Sequence, residues 1–190
     1  MKNKSLILTG ALLVAIIIIA GILYPTLAEK ANKAPEITTE QTTSSTDSTN
    51  ITDNTDYPRY TDIKIFDKNK KEVKLSDFEG KPVILNFWAT WCGYCLYELP
   101  DFENAFKEYG DDIQFVIVNT DDGIKKGEKY INSKNYTFPT YYDLDYDAYF
   151  TYGLSSLPRT VAIDKDGFVR YNRSGMIDAQ ILESIINMIK

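Results

Sequence analysis

The stretch Val83-Ile-Leu-Asn-Phe-Trp88, running on into Ala89-Thr-Trp-Cys92-Gly-Tyr-Cys95, decides how this chain is read. Its first six residues are nearly all apolar, as expected of a strand buried on both faces of a sheet. After the cysteines, Leu96, Leu99, Phe102, Ala105, Phe106 and Tyr109 recur at helical spacing and predict a helix from about Cys95. A strand therefore hands over to a helix where the two sulfurs stand. A cysteine at a helix N-terminus meets unsatisfied backbone N–H groups and the positive end of the macrodipole, and both stabilise a thiolate. A second cysteine one turn later is close enough to close a small disulfide. Cys92 is expected to be the exposed attacking sulfur and Cys95 the more buried resolving one, with exchange passing through a mixed disulfide.

Other readings of the pair remain open at this point. It could be half of a zinc site shared between two chains, an inert structural disulfide, or two buried free thiols. Within one chain a zinc site lacks ligands, because there are two cysteines and no histidine. A three-residue spacing closes too small a loop to add much stability, and free thiols do not suit an exported protein.

Composition narrows the rest. The absence of histidine removes Ser-His-Asp and Cys-His machinery, His-ligated zinc and haem attachment. A net charge of −6, from 21 basic and 27 acidic residues, argues against nucleic acid as a partner. An apolar fraction of 44% in 190 residues is enough for a real core.

Around the central stretch the pattern alternates between strands and helices. Ile63–Phe66 and Glu72–Leu75 flank a turn and predict an N-terminal hairpin. Ile113–Val118 reads as a second buried strand, Lys125–Asn132 as a helix, and Asp147–Tyr152 as a shorter helix. Thr160–Ile163 and Phe168–Tyr171 bracket Asp166-Gly167, a hairpin turn, and Ile177 to Ile189 form an amphipathic last helix. This is an α/β layered domain, expected over residues 57–190. Asp143, Asp145 and Asp147 alternate like the start of a calcium loop, but Ala148 and Leu154 stand where glycine and a bidentate glutamate are needed. A solvated acidic turn is expected there. Tyr141, Tyr142, Tyr146, Tyr149 and Tyr152 are expected half-buried with their hydroxyls at water; a peptide-binding surface is the sharper alternative.

Towards the N-terminus, Lys2 and Lys4 precede an apolar run from Leu6 to Leu23. As a helix it would span about 27 Å, close to the bilayer core, with the N-terminus cytoplasmic. Residues 1–28 are therefore expected to be a transmembrane anchor. A signal peptide cut near Ala28 competes with that, and both readings imply export. Residues 29–56, dominated by Ser and Thr, are expected to form a disordered linker.

Leu75-Ser-Asp-Phe-Glu-Gly-Lys-Pro82, Asn86-Phe-Trp-Ala-Thr-Trp-Cys92, Glu98-Leu-Pro100, Tyr152-Gly-Leu, Leu157-Pro158 and Ile163-Asp-Lys-Asp-Gly167 are distributed between residues 75 and 167. In these stretches the chain resembles the thioredoxin-fold superfamily, in its membrane-anchored TlpA/ResA-like branch. The resemblance implies a thioredoxin fold, with a central mixed sheet flanked by helices. It also implies a protein-disulfide reductase acting outside the cytoplasm on exported proteins, monomeric, and fed by a transmembrane thiol electron donor. No metal or organic cofactor is implied beyond the Cys92–Cys95 redox pair. Glu98, three residues after the second cysteine, would handle the proton, and Trp91 would shield the sulfurs. Pro158 would be a cis-proline that, with Leu157, Gly93, Tyr94 and Trp91, shapes the substrate groove. Gly93-Tyr94 departs from the branch, where proline commonly precedes the second cysteine, and resembles the disulfide isomerases. Isomerase, oxidase and a redox-inert binding module thus stand as alternatives. A thiol peroxidase would need a Pro-x-x-x-Thr/Ser-x-x-Cys pattern that this chain lacks.

Overall fold

The structure, a computed structural model, describes residues 57–121 and 123–190; the expected anchor and linker lie outside them. Its strands are β1 (Lys64–Phe66), β2 (Glu72–Lys74), β3 (Val83–Trp88), β4 (Gln114–Asn119), β5 (Thr140–Tyr142), β6 (Arg159–Ile163) and β7 (Val169–Ser174). Its α-helices are α1 (Gly93–Tyr109), α2 (Ile124–Lys134), α3 (Asp147–Tyr152) and α4 (Ala179–Ile189).

All six residues of β3 are buried, and the reason is its place in the sheet. The order is β2-β1-β5-β4-β3-β6-β7. β3 runs parallel to β4 and antiparallel to β6, so both of its backbone edges are paired. Its side chains alternate between two cores. Ile84 and Trp88 join Leu99 and Phe102 of α1 and Leu182, Ile185, Ile186 and Ile189 of α4. Val83, Leu85 and Phe87 join Ile63, Ile65, Leu75, Val161 and Ile163, with Ala148 and Tyr152 of α3. The result is the α/β thioredoxin fold with a mixed sheet and an N-terminal hairpin. In that hairpin the Asp67 carboxylate accepts the N–H groups of Asn69 and Lys71, each at 2.8 Å.

Four expectations change. The first helix starts at Gly93 rather than Cys95, because Cys92 is its N-cap and its sulfur accepts the Cys95 N–H. β5 was not expected. Three residues between Pro139 and Asp143 are too few to display alternation, and the strand exists through its pairing with β4 and β1. The acidic turn is not a solvated one. Asp143 is buried and accepts the N–H groups of Ala148 and Tyr149, while Asp147 accepts the N–H of Lys64 and Asp145 pairs with the Lys64 ammonium. Of the tyrosines, Tyr142 and Tyr152 are buried, and the Tyr152 hydroxyl donates to the Thr61 carbonyl rather than to water.

Phe102 has no exposed surface and joins α1 to the core beneath it. Phe102→Ala is expected to cost about 3–5 kcal/mol, read as a lower urea midpoint at unchanged slope.

Candidate active site

Cys92 and Cys95 are joined in a disulfide, with sulfurs 2.02 Å and α-carbons 5.3 Å apart. β3 ends at Trp88, and a tight turn in which the Cys92 N–H donates to the Ala89 carbonyl (3.1 Å) brings the first sulfur to the start of α1. There its sulfur accepts the Cys95 N–H at 3.2 Å. Cys92 keeps 6% of its surface exposed and Cys95 none. The order of exposure is the expected one, but in this oxidised form Cys92 is buried rather than open. Trp91, expected to shield the pair, stands 73% exposed in solvent. Both cysteines belong to the buried cluster that also contains Trp88, Ala89, Leu99 and Ile177, against which Leu157 packs.

The loop before Cys92 is held from the side. Asp121, just beyond β4, accepts the Thr90 N–H at 2.8 Å and an Asn119 amide hydrogen at 3.0 Å. Gly127 of α2 lies so close to Asn119 that a β-carbon there would stand 2.7 Å from the amide carbon. Sequence reasoning missed Asp121, Asn119 and Gly127, because nothing in their local pattern links them to residues some thirty positions earlier.

Glu98, one turn after Cys95 on α1, is 1% exposed. Its Oε1 accepts from Asn86 Nδ2 at 2.8 Å, and its Oε2 accepts the Ile177 N–H at 3.0 Å. Burial pushes its pKa up to about 7 from an ordinary 4.5; the two hydrogen bonds pull it down, and Asp101 one turn further on pushes it up. The rise stems first from desolvation.

Immediately before β6, the Leu157–Pro158 bond is cis. The Pro158 carbonyl accepts the Gly175 N–H at 2.9 Å. Tyr94 and Tyr97 on α1 are 70% and 80% exposed, and Met176 beside Gly175 is 45% exposed. Tyr97 and Met176 were not singled out in the sequence, since isolated apolar residues carry no signal of exposure. Among the described residues no group of His, Cys, Asp or Glu is arranged to hold a metal ion.

A sheet of this order, with a disulfide at the junction of its buried strand and first helix, defines a thioredoxin-fold thiol–disulfide oxidoreductase. Such an enzyme exchanges electrons through its cysteine pair and needs no further cofactor. The AhpC/TSA family matches residues 58–172, and the chain belongs to that family. It is 33% identical over 125 residues to the thiol-disulfide oxidoreductase ResA of Bacillus subtilis (strain 168), covering 65% of this chain and 70% of that protein. Among solved structures, the pneumococcal exposed lipoprotein thioredoxin Etrx1 of Streptococcus pneumoniae strain TIGR4 superposes with a TM-score of 0.58 at 30% identity, over 67% of this chain and 99% of that one. A DsbF homologue from Corynebacterium diphtheriae superposes with a TM-score of 0.64 at 25% identity, over 72% and 89%.

The Glu98 shift sets a pH dependence of stability. Its folded pKa, about 7, exceeds the ordinary 4.5, so its contribution is full below pH 4.5 and is lost as pH rises through 7. Across that window the oxidised protein should lose about 3 kcal/mol of stability. Glu98→Gln should remove this component. Denaturant unfolding of both proteins from pH 4 to 9 checks it, and parallel pH curves would contradict it.

Proposed function

We propose that this chain is a membrane-tethered protein-disulfide reductase that works outside the cytoplasm on exported proteins. The observation that carries the reading is the vertical arrangement of Cys92 at the helix N-terminus, Cys95 behind it and buried Glu98 one turn below. In the dithiol form, the Cys92 thiolate attacks one sulfur of a substrate disulfide, forming a mixed disulfide and expelling the other substrate sulfur as a thiolate. Cys95 then gives up its proton to Glu98 and attacks the Cys92 sulfur. This re-forms the Cys92–Cys95 disulfide and frees the second substrate thiolate. Two electrons pass to the substrate and the pair is left oxidised. A transmembrane thiol donor returns two electrons by the same exchange in reverse.

The roles of the individual residues follow from their places. The Cys95 N–H, already directed at the Cys92 sulfur, stabilises its thiolate together with the helix dipole. Glu98 titrates near neutrality, which suits a group that accepts and returns a proton. Trp91, Tyr94 and Gly93 on one side and Leu157 and Pro158 on the other shape the groove into which a substrate segment is laid. The exposed rings of Trp91 and Tyr94 supply amphipathic contact area there. The domain acts as a monomer over residues 57–190, on a Ser/Thr-rich linker of residues 29–56. Residues 1–28 carry the anchor, a reading supported by the apolar run from Leu6 to Leu23, broken only by Thr9, Gly10 and Gly21, after Lys2 and Lys4. No helix among the described residues is long and apolar enough to cross a membrane.

Gly93-Tyr94 favours a second reading, a disulfide isomerase or oxidase. The two readings separate by potential. Equilibration with glutathione is expected to place the pair at about −200 to −280 mV, and a value above about −150 mV opposes the reductase reading. A redox-inert module would leave insulin unreduced.

The division of labour between the sulfurs has its own test. In the reduced protein Cys92 should be alkylated first, and Cys95→Ser should accumulate mixed disulfides with exported clients while Cys92→Ser accumulates none. Alkylation of Cys95 ahead of Cys92 would falsify the assignment.

A further inference from the structure

Strand β3 alternates strictly, and on the face beneath α1 it reads Ile84, Asn86, Trp88. Both neighbours of Asn86 on that face are apolar and fully buried, and Asn86 itself has no exposed surface. An amide placed among such residues is costly unless its polar atoms are partnered. Asn86 meets only half of that requirement. Its Nδ2 donates to Glu98 Oε1 at 2.8 Å and to Thr160 Oγ1 at 3.1 Å, whereas its Oδ1 is buried with no partner. Thr160 is the residue paired with Asn86 across β3 and β6, two positions after Pro158, and it too is fully buried.

The unpartnered oxygen is informative. Turning the amide over would set Oδ1 against Glu98 Oε1, one acceptor against another, whenever the carboxylate is ionised. The observed orientation uses both amide hydrogens and leaves the oxygen orphaned. That makes sense if donation to Glu98 is what the amide is there to do.

We propose that Asn86 is a positioning residue for Glu98, with Thr160 orienting its amide: the Asn86 N–H holds Oε1, the Ile177 N–H holds Oε2, and the carboxyl group is clamped between β3 and the segment before α4 at a constant place one turn after Cys95. The clamp draws on three elements, β3, β6 and the segment leading into α4. No cationic side chain takes part. The titratable and charged groups facing Glu98 include Asp101 on α1, Tyr171 on β7 with Arg173 two residues further along that strand opposite Thr160, and Cys95 one turn earlier on α1. The donors that favour the ionised carboxylate are therefore the neutral amides of Asn86 and Ile177. Removing one of them should make the carboxyl group hold its proton more tightly.

The effect on turnover rests on the proton-handling reading of Glu98, but the geometric claim does not, and the experiment separates them. In the full-length oxidised protein the cysteines do not titrate, so carboxyl carbon NMR of labelled glutamate, with the Glu98 signal assigned by its loss in Glu98→Gln, follows this group directly. In Asn86→Ala the Glu98 midpoint is expected to rise by about one pH unit or more. In Thr160→Val, which keeps the shape and removes the hydroxyl acceptor, it should rise by a smaller amount. A merely structural role for Asn86 would lower the unfolding temperature and leave the midpoint where it was; midpoints unmoved in both variants would overturn the proposal. Should Asn86→Ala fail to fold, Thr160→Val decides alone. The pH–rate profile of disulfide reduction, measured on the same variants, is expected to move with the NMR midpoint. An NMR shift without a kinetic one would leave the clamp standing and remove Glu98 from proton transfer.

Discussion

Everything about the site depends on β3 being paired along both edges and buried along its whole length. A strand so confined has no freedom to slide or tilt, and the point at which it releases the chain is set by the sheet. Trp88, its last residue, has its carbonyl taken by the Thr120 N–H and hydroxyl. The four residues from Ala89 to Cys92 therefore start from a stationary place. With the Thr90 N–H tied to Asp121, the first sulfur reaches the helix N-terminus without a flexible loop between scaffold and chemistry.

Beneath the sulfurs the physics changes from packing to electrostatics. A carboxyl group at 1% exposure would normally be neutral, and one with several charged partners would normally be ionised well below neutrality. Glu98 sits between these limits because its partners are two neutral N–H donors. They offset part of the desolvation and leave the group balanced near pH 7. The segment that supplies one of those donors, Gly175 to Ile177, also holds the Pro158 carbonyl. The Pro158 carbonyl and the buried acid are thus attached to the same short piece of chain.

Much of this was legible in the sequence, and the reason is periodicity. Five apolar residues out of six in Val83–Trp88, shortly before two cysteines and a helical repeat, leave little choice of strand, helix or sulfur placement. The cis bond before Pro158 and the proton-handling role proposed for Glu98 come from resemblance, since neither has a local signature. What escaped was long-range. β5 is three residues whose strand character is conferred by its neighbours. Asp143 looked like a solvated acid because sequence shows charge but not the backbone N–H groups it caps. Asn86 carries no local signal of its partners. Its contact with Glu98 spans twelve positions and its contact with Thr160 spans 74, and no window of sequence covers both.

Gly127 carries no charge, no sulfur and no groove surface, yet it belongs to the machinery. Its missing side chain is what lets α2 settle against Asn119, and Asn119 is what steadies Asp121 against the backbone two residues before Cys92. A comparison of relatives that weighs only chemically active positions would score it as filler. In this fold the tolerance of the active centre to inherited change is set partly by a spot where even one methyl group has no room.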